Sequence, residues 1–378
     1  MTTYYVDGTN GSDAYNGTAA TFTSGSTGPK KTLSGAEAIP VAAGDVVYVR
    51  SGTYRETLTC GVSGTAGNPI TYQGDYTGAI WAGGGVVRIT GSDNDQTATR
   101  VNGIVASSKN YRTFTGLQID TTSSGALIQV TSSTNWILRK LYLTFPGSNA
   151  DCIKFVDSCT NNLVQNCYSR AGMVGYTTNV AFRGSSAVDN TANTVSDCIF
   201  VGGYRSITNL RVGDVTIKNC IILDPGLNAV AYEVTPNAGQ TMTVNNCIIS
   251  GCDTALSGGS VGFLVEDYND FFGNRTTRSN VGVGANSKTY PPLFDTRWFF
   301  QLVTAASANQ VVTPFDLSSA SQLINLAGTS PTATDMRGTA AIGGTREWGA
   351  LEYDSGLKTQ GGGGGAVSIS PLRGRLGG

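Results

Sequence analysis

Apolar and polar positions alternate in one short phrase that recurs between about positions 110 and 270. Its clearest copies are Asn162-Leu-Val-Gln-Asn-Cys167, Asn193-Thr-Val-Ser-Asp-Cys198, Val215-Thr-Ile-Lys-Asn-Cys220 and Met242-Thr-Val-Asn-Asn-Cys247. Weaker copies end at Leu117, Leu141 and Tyr268, so successive copies lie 24, 26, 31, 22, 27 and 21 residues apart. The alternation predicts one strand per copy. A strand that returns at a small, nearly fixed period predicts a solenoid of roughly ten coils.

Residues 1–45 are expected to form an N-terminal cap, because a solenoid needs its first open face covered. Tyr4-Tyr-Val-Asp7-Gly8 has the pattern of a strand followed by a turn. Ser34 followed by Glu37 has the pattern of an N-cap and capping box, which predicts a short helix. Residues 46–275 are expected to form the solenoid, with its first strands within Gly44–Val49, Thr53–Leu58, Pro69–Gly74 and Val86–Gly91.

The pattern changes after position 275. Residues 276–354 are irregular and are expected to close the C-terminal end of the solenoid. Residues 355–378 contain the run Gly361–Gly365, followed by a short, mildly basic and partly apolar end. This composition predicts a flexible linker with a docking tail at 361–378, and it fits a disordered terminus without a role equally well.

Several segments resemble the pectin-lyase-like superfamily of right-handed parallel β-helices. They are the opening YYVDGTNGSDAYNGT, the strand pair GDVVYVRSGTYRETLT, the strand NPITYQGD, and the closing SQLINLAG and TDMRGTAAIGGTREWGALEY. The resemblance covers roughly residues 1–354 and concerns the fold rather than an activity. It implies an all-β, single-stranded right-handed parallel β-helix with three parallel sheets, in which inward Asn, aliphatic and Cys residues form ladders. The glycine-rich tail is also similar to tails of tailed-phage structural proteins.

Charge and composition narrow the classes of function. The net charge is −1 and no basic cluster occurs along the chain, which argues against nucleic-acid binding. No apolar run reaches the roughly 20 residues of a membrane span, and the start of the chain lacks the pattern of a signal peptide. The chain has no histidine, which excludes Ser–His and Cys–His nucleophile pairs, histidine metal sites and histidine acid–base catalysis.

The recurring cysteines are interpreted as core residues. They end the clear copies of the phrase at the place that Leu117 and Leu141 hold in weaker copies. A place that accepts Leu or Cys predicts stacked, buried free thiols. Two local disulfides remain as alternatives, Cys152 with Cys159 and Cys247 with Cys252, and the absence of a CxxC spacing argues against a zinc site.

The recurring asparagines follow the same frame. A sugar-binding site would break the frame, so turns and side-chain ladders between coils are the favoured interpretation. The residues concerned are Asn162, Asn166, Asn193, Asn219, Asn245 and Asn246. Asp197 holds an Asn place and is also expected in a turn.

Carboxylates are the enzymatic candidates, because glycosidases place two of them beside one bond. The segment Asp151-Cys-Ile-Lys154 partly resembles the aspartate segment of polygalacturonases, but that family needs a downstream histidine. Polysaccharide lyases instead use calcium held by carboxylates, with Arg or Lys as the base, and calcium needs several converging oxygen atoms. This alternative selects the catalytic candidates Asp151, Lys154, Arg170, Arg183 and Asp189, with Asp157, Asp197, Asp214 and Arg205 nearby in sequence. The favoured interpretation has no catalytic residue and no metal site.

Aromatic side chains could provide platforms on which sugar rings stack. The longest step of the repeat, from Cys167 to Cys198, adds a loop around residues 170–189. A longer insertion in a regular solenoid predicts a binding surface. The binding candidates are Tyr168, Tyr176 and Tyr204.

These observations favour a non-catalytic surface protein, such as a phage virion decoration, fibre or spike component that contacts glycans. Such a protein would bind other virion proteins through residues 361–378 and would be found in virions or outside the cell after lysis. Two alternatives are a calcium-dependent polysaccharide lyase or depolymerase, and a glycan-binding adhesin. A homotrimer is expected only by analogy with other phage β-helices, since no coiled-coil heptad occurs.

Overall fold

The structure is a computed structural model that describes residues 1–144, 147–172, 175–184, 190–210, 213–232, 240–292 and 321–322. These residues form one short helix, α1 (Leu33–Glu37), and 28 short strands. In chain order the strands are β1 Thr3–Val6, β2 Val46–Val49, β3 Gly52–Tyr54, β4 Leu58–Thr59, β5 Ile70–Gly74, β6 Val87–Thr90, β7 Ile104–Ser107, β8 Arg112–Thr115, β9 Gln118–Asp120, β10 Ala126–Thr131, β11 Ile137–Arg139, β12 Tyr142–Thr144, β13 Asp151–Val156, β14 Leu163–Gln165, β15 Tyr168–Ala171, β16 Thr178–Arg183, β17 Asn193–Ser196, β18 Ile199–Gly202, β19 Arg205–Asn209, β20 Val215–Lys218, β21 Ile221–Leu223, β22 Asn228–Tyr232, β23 Met242–Asn245, β24 Ile248–Ser250, β25 Thr254–Gly258, β26 Leu264–Asp267, β27 Asp270–Phe272 and β28 Thr276–Ser279.

The strands form three parallel sheets, and each coil contributes one strand to each sheet. Sheet 1 has the order β1-β2-β5-β8-β11-β14-β17-β20-β23-β26. Sheet 2 runs β3-β6-β9-β12-β15-β18-β21-β24-β27, and sheet 3 runs β4-β7-β10-β13-β16-β19-β22-β25-β28. The described residues therefore contain nine successive sets of three strands, from β2–β4 to β26–β28. The predicted right-handed parallel β-helix is confirmed.

The recurring phrase forms the strands of sheet 1 together with the sharp corner that leads into sheet 2. Each corner contains one residue in the left-handed region, with φ between 52° and 71°. These residues are Gly116, Lys140, Asn166, Asp197, Asn219, Asn246 and Tyr268. Asn and Asp tolerate this conformation better than most residues do, which explains why they travel with the repeat. The predicted turn role of Asp197 and of these asparagines is confirmed.

The sequence pattern predicted the end of the last copy of the phrase one residue too early. Its end was predicted at Tyr268, but Val244 pairs with Glu266, so Asn269 follows the corner. The Asn269 side chain accepts the Cys247 N–H at 2.9 Å and donates to the Val244 carbonyl at 2.7 Å. A one-residue shift reverses the faces of a strand, and it places Glu266, not Val265, at the inward position.

The interior contains the predicted ladders. The Asn162 amide donates to Asn193 Oδ1 at 3.0 Å, and Asn162 Oδ1 accepts the Trp136 N–H at 2.8 Å. All eight cysteines are buried and free, so neither of the two local disulfides forms. Burial raises the pKa of the Cys198 and Cys247 thiols well above the ordinary value. The cysteines are therefore apolar core residues, as predicted.

The N-terminal end of the core lies under α1. The N-cap is Thr32, not the predicted Ser34, because Thr32 Oγ1 accepts the Gly35 N–H at 2.8 Å. Glu37 does not complete a capping box. Its carboxylate instead accepts two hydrogen bonds from the buried Arg112, at 3.0 and 2.7 Å, and one from the Tyr72 hydroxyl at 2.6 Å.

A second buried ion pair lies at the other end of the described core. Glu266 occupies the inward position that Val244 holds one coil earlier. The Glu266 carboxylate accepts hydrogen bonds from Arg278, from the Gly284 N–H at 2.7 Å and from the Asn269 amide at 2.8 Å. Buried ion pairs therefore mark both ends of the described core, and the inward column of sheet 1 between them, from Phe114 to Val244, is apolar.

The predicted segment boundaries remain predictions, because the described residues do not test them. Strand β1 already belongs to sheet 1, and β28 extends just beyond position 275. Most of the predicted closing region 276–354, and all of the predicted linker and tail 355–378, lie outside the described residues. The described part of the chain contains no helix with the length and apolarity that a membrane span requires.

Candidate functional site

Cations and aromatics gather where sheet 2 passes into sheet 3 on the outer surface of the middle coils. We call this surface the sheet 3 edge, and it consists of Asp151, Lys154, Tyr176, Arg183, Tyr204 and Arg205. The parallel register of β13, β16 and β19 aligns Asp151, Thr178 and Arg205 at the starts of these strands. Arg183 is at the far end of β16 and joins this surface through its ion pair with Asp151. Five of the predicted candidate residues therefore share this one surface.

Tight connections between sheets 2 and 3 hold the two tyrosines. The Tyr176 N–H donates to Asn149 Oδ1 at 2.9 Å, next to Gly175 in the left-handed region. The Tyr204 N–H donates to the Thr177 carbonyl at 2.9 Å, and two left-handed glycines precede it. The rings meet edge to face with centroids 4.9 Å apart. Tyr176 is 66% exposed, so this aromatic pair faces solvent on a fixed backbone.

Asp151 and Arg183 form an ion pair across two coils. Arg183 Nη2 lies 3.1 Å from Oδ1 and 3.0 Å from Oδ2 of Asp151. The Asp151 side chain is 2% exposed and that of Arg183 is 34% exposed. Burial raises the pKa of Asp151, and the charges of Arg183 and Lys154 offset this only in part. The carboxylate thus holds the Arg183 guanidinium at the surface, where it can still meet a ligand.

Arg205 adds a second guanidinium one coil further on. Its Cζ lies 5.3 Å from the centroid of the Tyr204 ring, and its Nε donates to Asn228 Oδ1 at 3.3 Å. Burial lowers the pKa of Arg205, and the positive charge of Arg183 acts in the same direction. The positive charge of Arg183 thus acts on Arg205, and a bound anion would favour the charged form of both side chains.

The sheet 3 edge suits recognition of an anion that is attached to a ring. Three cations, Lys154, Arg183 and Arg205, face one carboxylate there, and guanidiniums match carboxylate and sulfate oxygens in two-point hydrogen bonds. The aromatic pair offers an apolar surface for a sugar ring. Among the described residues, no group of three or more Asp, Glu or Cys side chains could hold a metal ion.

The other predicted candidates lie elsewhere. Tyr168 is on the outer face of sheet 2, where its ring stacks on Tyr142 with centroids 4.9 Å apart. Burial and Tyr142 raise the pKa of Tyr168 to about 12, and the nearby charge of Arg170 opposes this rise. Arg170 thus shares the sheet 2 face, and Asp189 lies outside the described residues.

The remaining aspartates considered for calcium do not converge with Asp151. Asp197 is buried at the corner between sheets 1 and 2, and Asp214 accepts the Thr241 N–H at 2.8 Å ahead of β20. Asp157 follows β13 in the left-handed region. These aspartates belong to neighbouring coils, but their side chains lie on different faces of the solenoid. They therefore do not come together.

Sequence reasoning missed the supporting residues Asn149, Thr178 and Asn228. Each comes from a different coil, and sheet 3 has no recurring phrase that would reveal its register. The only signal was indirect, namely the long step of the repeat that contains Tyr176.

Comparisons with known proteins agree on the fold. The chain is similar to the crystal structure of pectate lyase Pel9A, with 15% identity, a TM-score of 0.59 and coverage of 94% of this chain and 97% of that one. It is also similar to a rhamnogalacturonan lyase, with 16% identity, a TM-score of 0.52 and coverage of 76% and 86%. No known family profile and no curated protein matches the sequence. The comparisons thus confirm the predicted right-handed parallel β-helix as a fold.

Proposed function

We propose that this protein is a non-catalytic surface β-helix that binds an anionic polysaccharide through the sheet 3 edge. The observation that carries the proposal is the exposed Arg183 guanidinium held by Asp151, together with Arg205 stacked beside the solvent-facing Tyr176–Tyr204 pair. A uronate residue presents a carboxylate to cations and a ring face to aromatics. The parallel sheets supply a rigid support, so little ordering is required on binding.

The exposure of the guanidiniums supports a binding role over a purely structural one. A lone surface ion pair such as Asp151–Arg183 contributes at most about 1 kcal/mol to stability. Arg205 adds a second guanidinium to the same surface, beside the Tyr204 ring. A ligand carboxylate can accept hydrogen bonds from both guanidiniums.

A polysaccharide lyase is the second candidate function. It is supported by the two solved structures named above, a pectate lyase and a rhamnogalacturonan lyase, and by cations that could neutralise a uronate carboxylate. The calcium-dependent form of this alternative needs converging carboxylates, and the described residues offer no such group. Both Asp151 oxygens also face Arg183, which leaves this carboxylate poorly placed to act as a base.

Binding and cleavage can be separated with polygalacturonate as the probe and a neutral β-glucan as the control polymer. We expect the protein to bind polygalacturonate, with affinity that falls as salt rises, without shortening the chain or forming unsaturated products. Cleavage, with or without added calcium, would establish the lyase instead. Equal binding of the neutral polymer would refute recognition of the anion.

Matched variants assign the binding to this surface. Arg205→Gln keeps a donor for Asn228 but removes the charge, and Asp151→Asn/Arg183→Gln removes the ion pair without leaving a buried charge. Each should weaken polygalacturonate binding about tenfold or more, since a hydrogen bond to a charged group contributes about 1.5–3 kcal/mol. The exposed Lys31→Gln in the cap controls for net charge and should bind as the wild type does.

The virion setting is part of the same proposal and rests on the sequence alone. The absence of histidine, the solenoid repeat and the glycine-rich end suit a structural surface component anchored by residues 361–378. Deleting 361–378 should abolish incorporation into particles while leaving polysaccharide binding intact. Unchanged incorporation would refute the docking role of the tail. The adhesin alternative predicts the same binding in a protein that is not part of a particle.

A further inference from the structure

A small polar cleft on the outer face of sheet 1 has the features of a second ligand site. It has a volume of about 210 Å³ and is lined by Gln73, Tyr76, Thr115, Arg139 and Lys140. The floor is one outward column of the sheet, in which Gln73 pairs with Thr115 and Thr115 with Arg139. The cleft lies on a different face from the sheet 3 edge and toward the N-terminal end of the solenoid.

Its two cations differ from most arginines of the described chain. Those at positions 50, 55, 88, 100, 112, 183, 275 and 278 each have an acidic partner within 4 Å. No described carboxylate lies within that distance of Arg139 or Lys140, although the two are adjacent in the chain. Two like charges held side by side on a rigid sheet, without a counter-charge from the protein, suit a site for an external anion.

The aromatic wall of the cleft is fixed in place. Tyr76 follows β5 in a loop whose turn is held by the buried Asp75, which accepts the N–H groups of Ala79 at 2.8 Å, Ile80 at 3.1 Å and Trp81 at 2.7 Å. The Tyr76 ring lies over Gly116, where an added Cβ would be only 2.5 Å from it. Gly116 holds the corner position that Lys140 holds one coil later. The glycine thus makes room for the ring beside the two cations.

We propose that this cleft binds a pyranose that carries a negatively charged substituent, a carboxylate or a sulfate. Arg139 and Lys140 contact the anion, Tyr76 packs against the ring, and Gln73 and Thr115 hydrogen-bond to hydroxyl groups. The site is independent of the sheet 3 edge. On an extended polysaccharide it would give the protein a second point of attachment.

The repeat itself supplies variants that should fold normally. Arg139→Gln introduces the residue found at the register-equivalent Gln73 and Gln165. Lys140→Asn introduces the residue found at the equivalent corners Asn166, Asn219 and Asn246, and it suits the left-handed conformation. The double variant therefore removes both charges by copying neighbouring coils. Lys31→Gln/Lys288→Gln, at two distant positions, matches the loss of charge.

Ligand-observed NMR with four probes tests the proposal: D-galacturonate, N-acetylglucosamine 6-sulfate, glucose and inorganic sulfate. We expect the two charged sugars to bind at least tenfold more tightly than glucose or inorganic sulfate. Arg139→Gln/Lys140→Asn should lose at least tenfold of that affinity. Tyr76→Ala should lose affinity, and Tyr76→Phe should retain it, because only the ring is needed for stacking.

Two results would overturn the proposal. Unchanged binding of the charged sugars by Arg139→Gln/Lys140→Asn would exclude the cleft, and equal binding of inorganic sulfate would exclude a contribution from the sugar ring. Asp151→Asn/Arg183→Gln/Arg205→Gln tests the other surface in the same assay. If that variant alone loses the affinity, the sheet 3 edge is supported and the cleft is refuted. If it retains cleft binding but no longer binds polygalacturonate, both sites stand.

Discussion

Replacing Glu37 with alanine should loosen the N-terminal end of the solenoid. Arg112 is fully buried, and its guanidinium donates to both Glu37 oxygens and to the Val62 carbonyl at 2.9 Å. In Glu37→Ala the guanidinium keeps only the carbonyl, and the buried Tyr72 hydroxyl loses its acceptor. The variant therefore leaves an uncompensated charge between the cap helix and the core.

Breaking a buried ion pair in this way costs about 3–5 kcal/mol. In a solenoid each coil contacts only its neighbours, so the loss should fall on α1 and the first coils rather than on the whole chain. Native-state hydrogen exchange can resolve this difference. The Leu58 and Cys60 amides bond to Gly103 and Val105 at 2.8 and 2.9 Å, and they should exchange at least about a hundredfold faster. Amides of β20 should be unaffected.

A matched control distinguishes the charge from the packing. Glu37→Leu/Arg112→Leu removes both charges together and should be near neutral or more stable than the wild type.

The dependence of stability on acid pH provides a second control. Burial alone would raise the pKa of Glu37, but the hydrogen bonds and charge of Arg112 outweigh it and hold the pKa below the ordinary value. The pair therefore stabilises the wild type above the unfolded-state pKa, and this contribution is lost as the pH falls through the lower folded value. The double leucine variant should not show this acid-sensitive step. A cost below about 1 kcal/mol for Glu37→Ala, or equal losses for the single and double variants, would refute the reasoning.

Two further predictions concern the last coil. Tyr268 has φ +55° at the corner position that Asn246 holds one coil earlier. Tyr268→Asn should therefore raise the free energy of unfolding by about 1 kcal/mol in a urea titration, and Asn246→Tyr should lower it. A loss of stability in Tyr268→Asn would mean that contacts of the ring outweigh the backbone strain. Burial raises the pKa of Asp270 to about 8, and the hydrogen bond from the Tyr290 N–H opposes this rise. The folded state therefore holds a proton that the unfolded state releases. The free energy of unfolding should fall as the pH rises from about 4 to about 8. Asp270→Asn should flatten the dependence of the melting temperature on pH over that range, and an unchanged slope would assign it to other groups.

The fold could be read from the sequence because sheet 1 repeats its pattern most faithfully. The corner into sheet 2 requires a left-handed residue, and Asn or Asp marks it in four successive coils from Asn166 to Asn246. Where the corner holds Tyr268, that marker is missing, and the predicted register slipped by one residue. The N-cap was misplaced for a related reason, since Thr32 and Ser34 are both good caps and only the hydrogen bond to the Gly35 N–H decides between them.

The candidate site could be predicted only in part. The long step of the repeat drew attention to Tyr176, Arg183 and Tyr204, and the structure places these three together. Tyr168 was grouped with them because it is near in sequence, yet it lies one sheet away and stacks on Tyr142. Spacing along the chain identifies the coil but not the face, because the lengths of the turns between sheets vary. The cleft at Arg139 and Lys140 was missed for the opposite reason, since both residues fit a regular copy of the repeat.

The buried Glu266–Arg278 pair changes the character of the described C-terminal end of the sheet 1 column. Every inward position before Glu266 in its column offers an apolar surface on which another coil, or another copy of the chain, could be added by edge-to-edge strand pairing. A carboxylate already satisfied by Arg278, Gly284 and Asn269 offers no such surface, because an added coil would have to strip it of those partners. The pair therefore makes this described end of the column unsuited to apolar stacking by a second copy of the chain. An internal coil such as β17–β19, with Val195 at the inward position, has no such charge in this column.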